Sequence, residues 1–206
     1  MSAPKTAEKR AAARPAYEFH PLTPDRWPDL ERVFGANGAC GGCWCMWWRA
    51  SPSEFRRDKG AGNRRALRRL VVAGAEPGIL AYDADGTPVG WCAIAPRTEY
   101  PRLERSRILA PVDDRAVWSV TCFFIARGHR RRGLSRVLLE AAVRFAADRG
   151  AAIVEGYPVE PAVRQADPFV WTGLASAFRR AGFREVARRS PTRPIMRRRV
   201  RPRKRV

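Results

Sequence analysis

Three arginines and a glycine, Arg130-Arg131-Arg132-Gly133, stand where an apolar run in the sequence gives way to a helical pattern. Free N–H groups at the start of a helix bind anions, and the helix dipole favours negative charge at that end. A glycine lets a ligand approach the backbone closely, and arginine side chains add cationic donors. The pattern predicts a diphosphate site that is neither a P-loop nor a G-x-G-x-x-G turn. The alternative is an ordinary strand-to-helix turn whose arginines are solvated.

The segment ACGGCWCMWWRA, residues 39–50, concentrates three of the five cysteines and three of the seven tryptophans. A structural zinc site takes four Cys or His ligands. Cys40, Cys43 and Cys45 supply three, and neither histidine has a spacing that points here. A redox pair needs a thiol of lowered pKa beside a base, which the intervening glycines do not provide. We therefore expect neither a metal site nor a redox pair in this segment.

The tryptophans of the same segment have two interpretations. In the first, Trp44, Trp47 and Trp48 form an aromatic plug that packs the early helices onto a sheet. In the second, they form the wall of a binding pocket, because an indole face can hold a cationic amine. The sequence leaves both interpretations open.

Alternating strands and helices must position these residues. Strands are predicted at 17–22, in a hairpin over 78–96 that turns at Asp85-Gly86, and at 115–126, 151–159, 183–188 and 194–199. Helices are predicted after Thr23, after a capping box of Ser51 and Glu54, from 63 to 74, over 133–150 and over 171–183. This order predicts an α+β fold, loosely α/β, with a mixed sheet.

The formal net charge of +20 suggests a nucleic-acid partner at first. Much of the charge lies at the ends, since residues 188–206 hold ten Lys or Arg and no acid. We expect a disordered tail at 1–16, a single domain over 17–200 and a solvated basic tail at 201–206. A nucleic-acid partner is therefore disfavoured, and a basic nucleic-acid-binding module is kept as the alternative from another functional class.

The sequence also indicates a compartment. It has no run of 18 apolar residues, which disfavours a membrane-spanning helix and a membrane partner. Its basic, Ala-rich start lacks the apolar core of a secretory signal. Five cysteines without such a signal indicate a reducing environment rather than a disulfide framework. We therefore expect a cytoplasmic protein.

The arginine–glycine turn and the stretch AFRRAGF, residues 177–183, resemble the GNAT superfamily of acetyl-CoA-dependent N-acetyltransferases. The resemblance covers roughly residues 17–200 and is strongest over 117–157. The family signature Q/R-x-x-G-x-G/A stands here at 130–135, with Ser135 in place of the final Gly or Ala. The resemblance implies a GNAT-type, mostly antiparallel sheet flanked by helices, with acetyl-CoA as co-substrate and no metal.

The same resemblance implies which residues hold the co-substrate. Strand residues are expected along the pantetheine arm and turn residues around the pyrophosphate: Phe123, Phe124 and Ile125, then Arg130, Arg131, Arg132, Gly133, Leu134 and Ser135. Many members place a Tyr, thought to protonate the leaving thiolate, where this chain has Phe178. A phenyl ring cannot donate a proton, so another group or water must do so.

Glu155 and Tyr157 are the predicted acid–base pair. They alternate onto one face of the strand that should border the cleft, with Glu155 as base and Tyr157 as acid. The alternatives are a charge at a strand edge for Glu155 and core packing for Tyr157.

The resemblance implies direct acetyl transfer to an amine, and two classes of acceptor remain open at this point. We expect a primary amine of a small molecule, with a protein lysine or N-terminus as the alternative. GNAT-like proteins commonly build the acceptor side from the loop between the first two helices, where Trp44, Trp47 and Trp48 lie. A homodimer is compatible with this interpretation.

Overall fold

The computed structural model describes residues 16–163, 165–166 and 169–201. The disorder predicted for 1–15 and the solvated character predicted for 202–206 lie outside these residues. Within them, no helix is both long enough and apolar enough to cross a bilayer.

Strands and helices alternate along the described residues much as the sequence predicts. The strands are β1 (Glu18–Pro21), β2 (Gly78–Tyr82), β3 (Pro88–Pro96), β4 (Trp118–Ile125), β5 (Ile153–Gly156), β6 (Arg184–Arg188) and β7 (Pro194–Arg199). The α-helices are α1 (Trp27–Phe34), α2 (Pro52–Arg57), α3 (Ala61–Val72), α4 (Pro101–Glu104), α5 (Leu134–Ala147) and α6 (Ala175–Arg180). Short 3-10 turns precede α1, α4 and the arginine turn.

The strands form one sheet in the order β1-β2-β3-β4-β5-β7-β6. Every neighbouring pair is antiparallel except β4 and β5, which run parallel. Helices cover both faces of the sheet. This mixed, mostly antiparallel α+β architecture confirms the predicted fold class.

The parallel pair separates partway along its length. β4 and β5 are in register only from Trp118 opposite Val154 to Val120 opposite Gly156. β4 then continues to Ile125, whereas β5 ends at Gly156. The second half of β4 therefore presents its backbone to a gap in the sheet, which makes it the natural place for a ligand.

The helices bury one apolar stripe each, and alternate residues of the central strands meet them on opposite faces. On one face Leu134, Leu138 and Leu139 of α5 pack over the sheet together with Phe178 of α6. On the other face α1, α3 and the cysteine–tryptophan segment surround Trp91. Each leucine buried in this way contributes roughly 2 kcal/mol to stability.

Local signals placed most helix boundaries correctly. Ser51 and Glu54 form the predicted capping box, with Ser51 N donating to Glu54 Oε2 at 2.9 Å. The helix predicted to start at residue 63 begins at Ala61, because Asn63 is a buried residue whose side chain donates to Gly42 O at 3.1 Å.

The helix predicted over 171–183 is only partly correct. α6 covers Ala175–Arg180, and residues 171–174 are not helical. Val159 forms a parallel bridge with Leu174, and Val159 N donates to Gly173 O at 2.9 Å. Gly173 has φ +87°, a left-handed conformation that favours glycine and interrupts a helix. Tertiary hydrogen bonds thus override a pattern that favoured helix.

Candidate active site

The arginine turn leads from β4 into α5 through two left-handed residues. Arg131 has φ +61° and Gly133 has φ +82°. Gly133 is the N-cap of α5 and has no side chain that could occupy the N–H groups of the first helical turn. A Cβ at Gly133 would meet nothing within 4 Å, so the approach to these N–H groups is open. The geometry matches the anion site that the sequence predicts.

The predicted co-substrate residues mostly line one cleft, which we call the phosphate-side cleft. It has a volume of about 380 Å³, and its lining includes Phe123, Phe124, Ile125, Arg130, Arg131 and Ser135. Arg130 Nε donates to Ile125 O at 2.8 Å and so fastens the turn to the end of β4. These contacts place the anion site and the open edge of β4 side by side.

Three of the predicted co-substrate residues lie outside that lining. Arg132 is exposed beside the turn. Gly133 and Leu134 would contribute through the backbone, since Leu134 is 1% exposed and its side chain packs in the core. The Leu134 side chain therefore faces the core and not the cleft.

One backbone donor expected for the pantetheine arm is already in use. Phe123 N donates to Trp171 O at 2.7 Å, so the segment 170–174 closes part of the gap beside β4. A ligand that hydrogen-bonds Phe123 N must displace this carbonyl. Sequence reasoning missed Trp171 as a site residue, because the local pattern assigned it to a helix.

A second cavity, the aromatic pocket, opens beside the first. It has a volume of about 340 Å³ and is lined by Ala39, Cys40, Gly41, Cys43, Cys45, Trp47, Trp48, Phe55, Lys59, Cys122, Phe123, Phe124 and Trp171. Five of these residues also line the phosphate-side cleft: Ala39, Cys40, Phe123, Phe124 and Trp171. The two cavities therefore meet along the open half of β4.

The three tryptophans of the segment divide between the two interpretations. Trp47 and Trp48 line the aromatic pocket. Trp44 does not, because it is 6% exposed and stacks against Trp27 with ring centroids 6.0 Å apart. The predicted substrate contact of Trp44 is therefore corrected to the aromatic plug, which anchors α1.

Positive φ angles and two tertiary hydrogen bonds fix the shape of the cysteine–tryptophan segment. Ala39, Trp44 and Cys45 have positive φ, as do the neighbouring glycines. Gly60 N donates to Gly42 O at 2.9 Å, and Trp91 Nε1 donates to Cys45 Sγ at 3.0 Å. Such strained residues persist only where the surroundings fix them, and they are frequent at ligand sites.

Two thiols of the segment, those of Cys43 and Cys45, are poor nucleophiles. Burial, followed by the neighbouring Cys45, raises the pKa of Cys43 to about 11. Burial and then Cys122 raise the pKa of Cys45 well above its ordinary value. Metal binding and redox chemistry both need thiolates. In the described part of the chain, no group of three or more His, Cys, Asp or Glu is arranged to hold a metal ion.

Glu155 and Tyr157 lie in a buried ionic network and not in either cavity. Both are 0% exposed. Glu155 accepts from Arg97 Nη1 at 2.9 Å and from Arg197 Nε at 2.6 Å, and it accepts from Tyr157 Oη at 2.6 Å. Ser119 Oγ lies 2.8 Å from the same hydroxyl.

This placement does not fit the predicted acid–base roles. Two arginines hold the Glu155 carboxylate in the interior, outside both cavities, whereas a base must reach the proton that it removes. Burial, followed by the charge of Glu155, raises the pKa of Tyr157 well above its ordinary value, which makes it a weak acid. The pair instead ties β5 to β7 and to the connection before β4. No sequence signal marked Arg97, which stands between patterned segments.

Phe178 occupies the position where the resemblance implies a Tyr. Its ring is 0% exposed and packs so closely on the backbone of β5 that a Cβ at Gly156 would lie 2.2 Å from Phe178 Cε1. The ring also contacts Phe123 edge-on, with centroids 6.1 Å apart. The residue therefore shapes the floor of the gap and offers no proton.

Comparison with known proteins identifies this arrangement. The model of the acetyltransferase (GNAT) family matches residues 44–169, more than half of the chain. No curated protein matches the sequence.

Solved structures share the fold at low identity. A GNAT-family acetyltransferase from Listeria monocytogenes has a TM-score of 0.55 at 9% identity, over 89% of this chain and 95% of that chain. A GCN5-related N-acetyltransferase from Kribbella flavida has a TM-score of 0.53 at 19% identity, over 90% and 98%. PaiA N-acetyltransferase from Thermoplasma acidophilum, solved with coenzyme A, has a TM-score of 0.51 at 15% identity, over 90% and 99%. Because the family model matches more than half of the chain, the chain belongs to the GNAT family and is an acyl-CoA-dependent N-acetyltransferase.

Proposed function

We propose that the protein transfers the acetyl group of acetyl-CoA directly to a primary amine of a small molecule. The observation that carries the proposal is the junction of the two cavities at Phe123, Phe124 and Trp171. The anion site at Gly133 suits the pyrophosphate, and the open edge of β4 leads from it to the junction. The fold-related PaiA structure contains coenzyme A, which supports acetyl-CoA as the co-substrate.

In this proposal no side chain acts as the general acid or the general base. The amine nitrogen attacks the thioester carbonyl carbon, the C–N bond forms and the C–S bond breaks. Backbone N–H groups of β4 are the donors available to the developing oxyanion. Holding both reactants at the junction supplies much of the rate acceleration. The proton lost by the nitrogen and the proton gained by the thiolate pass through water, since Phe178 and the buried Tyr157 supply neither.

The form of the aromatic pocket favours a small acceptor over a protein. Trp47, Trp48 and Phe55 bound a cavity of about 340 Å³, which matches a small molecule lying against apolar walls. A protein lysine or N-terminus remains the alternative acceptor. We also propose a cytoplasmic location, supported by five cysteines that are all free. The homodimer and the absence of a nucleic-acid partner stay predictions.

An acceptor screen tests the proposal. The protein is incubated with acetyl-CoA and either small amines or lysine-containing peptides, and acetylated products are measured by mass spectrometry. Thiol reagents are avoided as the readout, because Cys40 is exposed. We expect products with small amines and binding of acetyl-CoA in a calorimetric titration. Absence of acetyl-CoA binding would overturn the proposal, and exclusive modification of peptides would overturn the choice of acceptor.

A further inference from the structure

The mouth of the aromatic pocket carries a cation without a counter-ion. Lys59 lines the pocket and is exposed, and it forms no ion pair with a described residue. A Cβ at Gly41 would lie 3.8 Å from Lys59 Nζ, which places the ammonium group over the glycines of the cysteine–tryptophan segment. None of the described residues that line the pocket is an Asp or Glu. The local field at the mouth therefore attracts an anion.

Unused hydrogen-bond donors lie behind the same wall. Trp48 Nε1 and Arg102 Nη1 are both shielded from solvent and have no hydrogen-bond partner. The Arg102 guanidinium lies 3.9 Å from the ring centroid of Trp47, and Arg102 N donates to Trp48 O at 3.3 Å. Buried polar groups are normally paired, so the indole N–H of Trp48, which lines the pocket, is a donor that an acceptor atom of a ligand can satisfy.

A neighbouring arginine, in contrast, is paired. Arg49, from the same segment, donates to Glu99 Oε2 at 2.5 Å and lies 4.6 Å from the Tyr100 ring centroid. Burial, followed by the charge of Arg56, lowers the pKa of Arg102. An anion bound at Lys59, in the pocket that Trp47 lines, would add negative charge to this region.

The remaining surface of the pocket is apolar and largely aromatic. Trp47 packs edge-on against Phe55 with ring centroids 5.1 Å apart, and Trp48 lies 5.9 Å from Trp171. Indole and phenyl faces of this kind bind flat apolar groups, and they gain further energy from aromatic pairs in tilted or edge-on arrangements.

We propose that the acceptor is an aromatic amine that also carries a carboxylate, as an aromatic α-amino acid does. This inference rests on the proposed acetyl transfer and adds the substrate class. The carboxylate pairs with Lys59 at the mouth, and the ring lies against Trp47 and Trp48. The amine is then directed towards the open edge of β4 at Phe123 and Phe124, where the two cavities meet.

The test compares two acceptors that differ by the carboxylate alone, L-phenylalanine and 2-phenylethylamine. We expect wild-type protein to acetylate phenylalanine with the higher kcat/KM, by at least tenfold. Lys59→Met, which keeps the length of the side chain and removes its charge, should lower this ratio at least tenfold. Lys59→Arg should preserve most of it. Arg68→Met removes the same charge from the exposed face of α3, away from the pocket lining, and should leave the ratio unchanged.

Calorimetric titration with acetyl-CoA accompanies each measurement, so that failure of the acceptor class is distinguished from failure of acetyl transfer itself. The acceptor class is overturned if the wild-type ratio is near one, or if Arg68→Met lowers the ratio as much as Lys59→Met does. It is also overturned if acetyl-CoA binds but no carboxylate-bearing amine is acetylated. Loss of acetyl-CoA binding in the wild-type protein would instead overturn the proposed function on which this class rests.

Discussion

Gly133 shows how one residue can determine whether an anion binds. The N-cap of α5 is left-handed, has no side chain and faces open space, which exposes the first N–H groups of a 14-residue helix. A carboxylate at this position would compete for the same N–H groups and repel a pyrophosphate.

We expect Gly133→Asp to weaken acetyl-CoA binding at least 100-fold. The folded structure should persist, because Asp tolerates the left-handed region and meets no neighbouring atom. Gly133→Asn is the matched control, since it has the same shape without the charge and should weaken binding much less. Affinity is measured by calorimetry and folding by thermal melting. Equal binding of Gly133→Asp and wild type would show that the pyrophosphate lies elsewhere.

Trp44 and Trp47 are three positions apart in sequence yet have different roles. Trp47→Ala should raise the acceptor KM at least tenfold and change acetyl-CoA affinity little, because Trp47 lines only the aromatic pocket. Trp48→Ala should act in the same direction. Trp44→Ala should cost about 3–5 kcal/mol of unfolding free energy through loss of a buried indole, with the acceptor KM retained.

Steady-state kinetics and denaturant unfolding separate these effects. If Trp47→Ala loses stability but keeps its acceptor KM, all three tryptophans belong to the plug.

At the scale of elements, the ionic network around Glu155 joins parts of the chain that are distant in sequence. Arg97, before α4, donates to Glu155 of β5 and to Leu109 O, at 2.9 and 2.8 Å. Arg197 of β7 donates to Glu155 and to Asp113, at 2.6 and 2.7 Å. The network thereby fixes the connection from 97 to 117 against the sheet. That connection also carries Arg102, which packs on Trp47.

Glu155→Gln tests whether this carboxylate is structural or catalytic. The substitution removes the buried carboxylate that Arg97 and Arg197 share, and breaking a buried pair costs about 3–5 kcal/mol. The more exposed Glu104 and Asp113 still pair with these arginines and offset part of this cost. We therefore expect a large loss of thermal stability, with kcat of the folded fraction within about tenfold of wild type. Loss of kcat by more than 100-fold in protein that melts normally would restore Glu155 as the base.

At the scale of the whole molecule, the charge of +20 is unevenly spread and the last residues add to it. Deletion of 201–206 should change neither the melting temperature nor acetyl-CoA affinity, because RPRKRV has no apolar pattern to bury. Deletion from 194 onwards should unfold the protein, since β7 pairs with both β5 and β6 and buries Ile195 and Met196. Melting curves of the two truncations decide between these expectations, and unfolding by the shorter one would contradict them.

The sequence by itself determined the elements whose signals are local. The apolar run of β4 and the period-3.6 run of α5 predicted these two elements correctly, because dihedral preferences act over a few residues. The anion site at the glycine between them stays a prediction. The capping box at Ser51 and the hairpin turn at Asp85-Gly86 follow from the same kind of signal.

Tertiary structure alone decided which of the candidate residues line a cavity and which are buried. Glu155 occupies a suitable place along the chain, but Arg97 and Arg197, 58 and 42 residues away in sequence, hold its carboxylate in a buried network outside both cavities. Trp44 and Trp47 have the same chemistry, and only packing sends one into the core and the other to a pocket. Residues 171–174 favour helix locally, yet hydrogen bonds to Phe123 and Val159 hold them in a turn and an isolated bridge. Such contacts join distant residues, so no local pattern in the sequence encodes them.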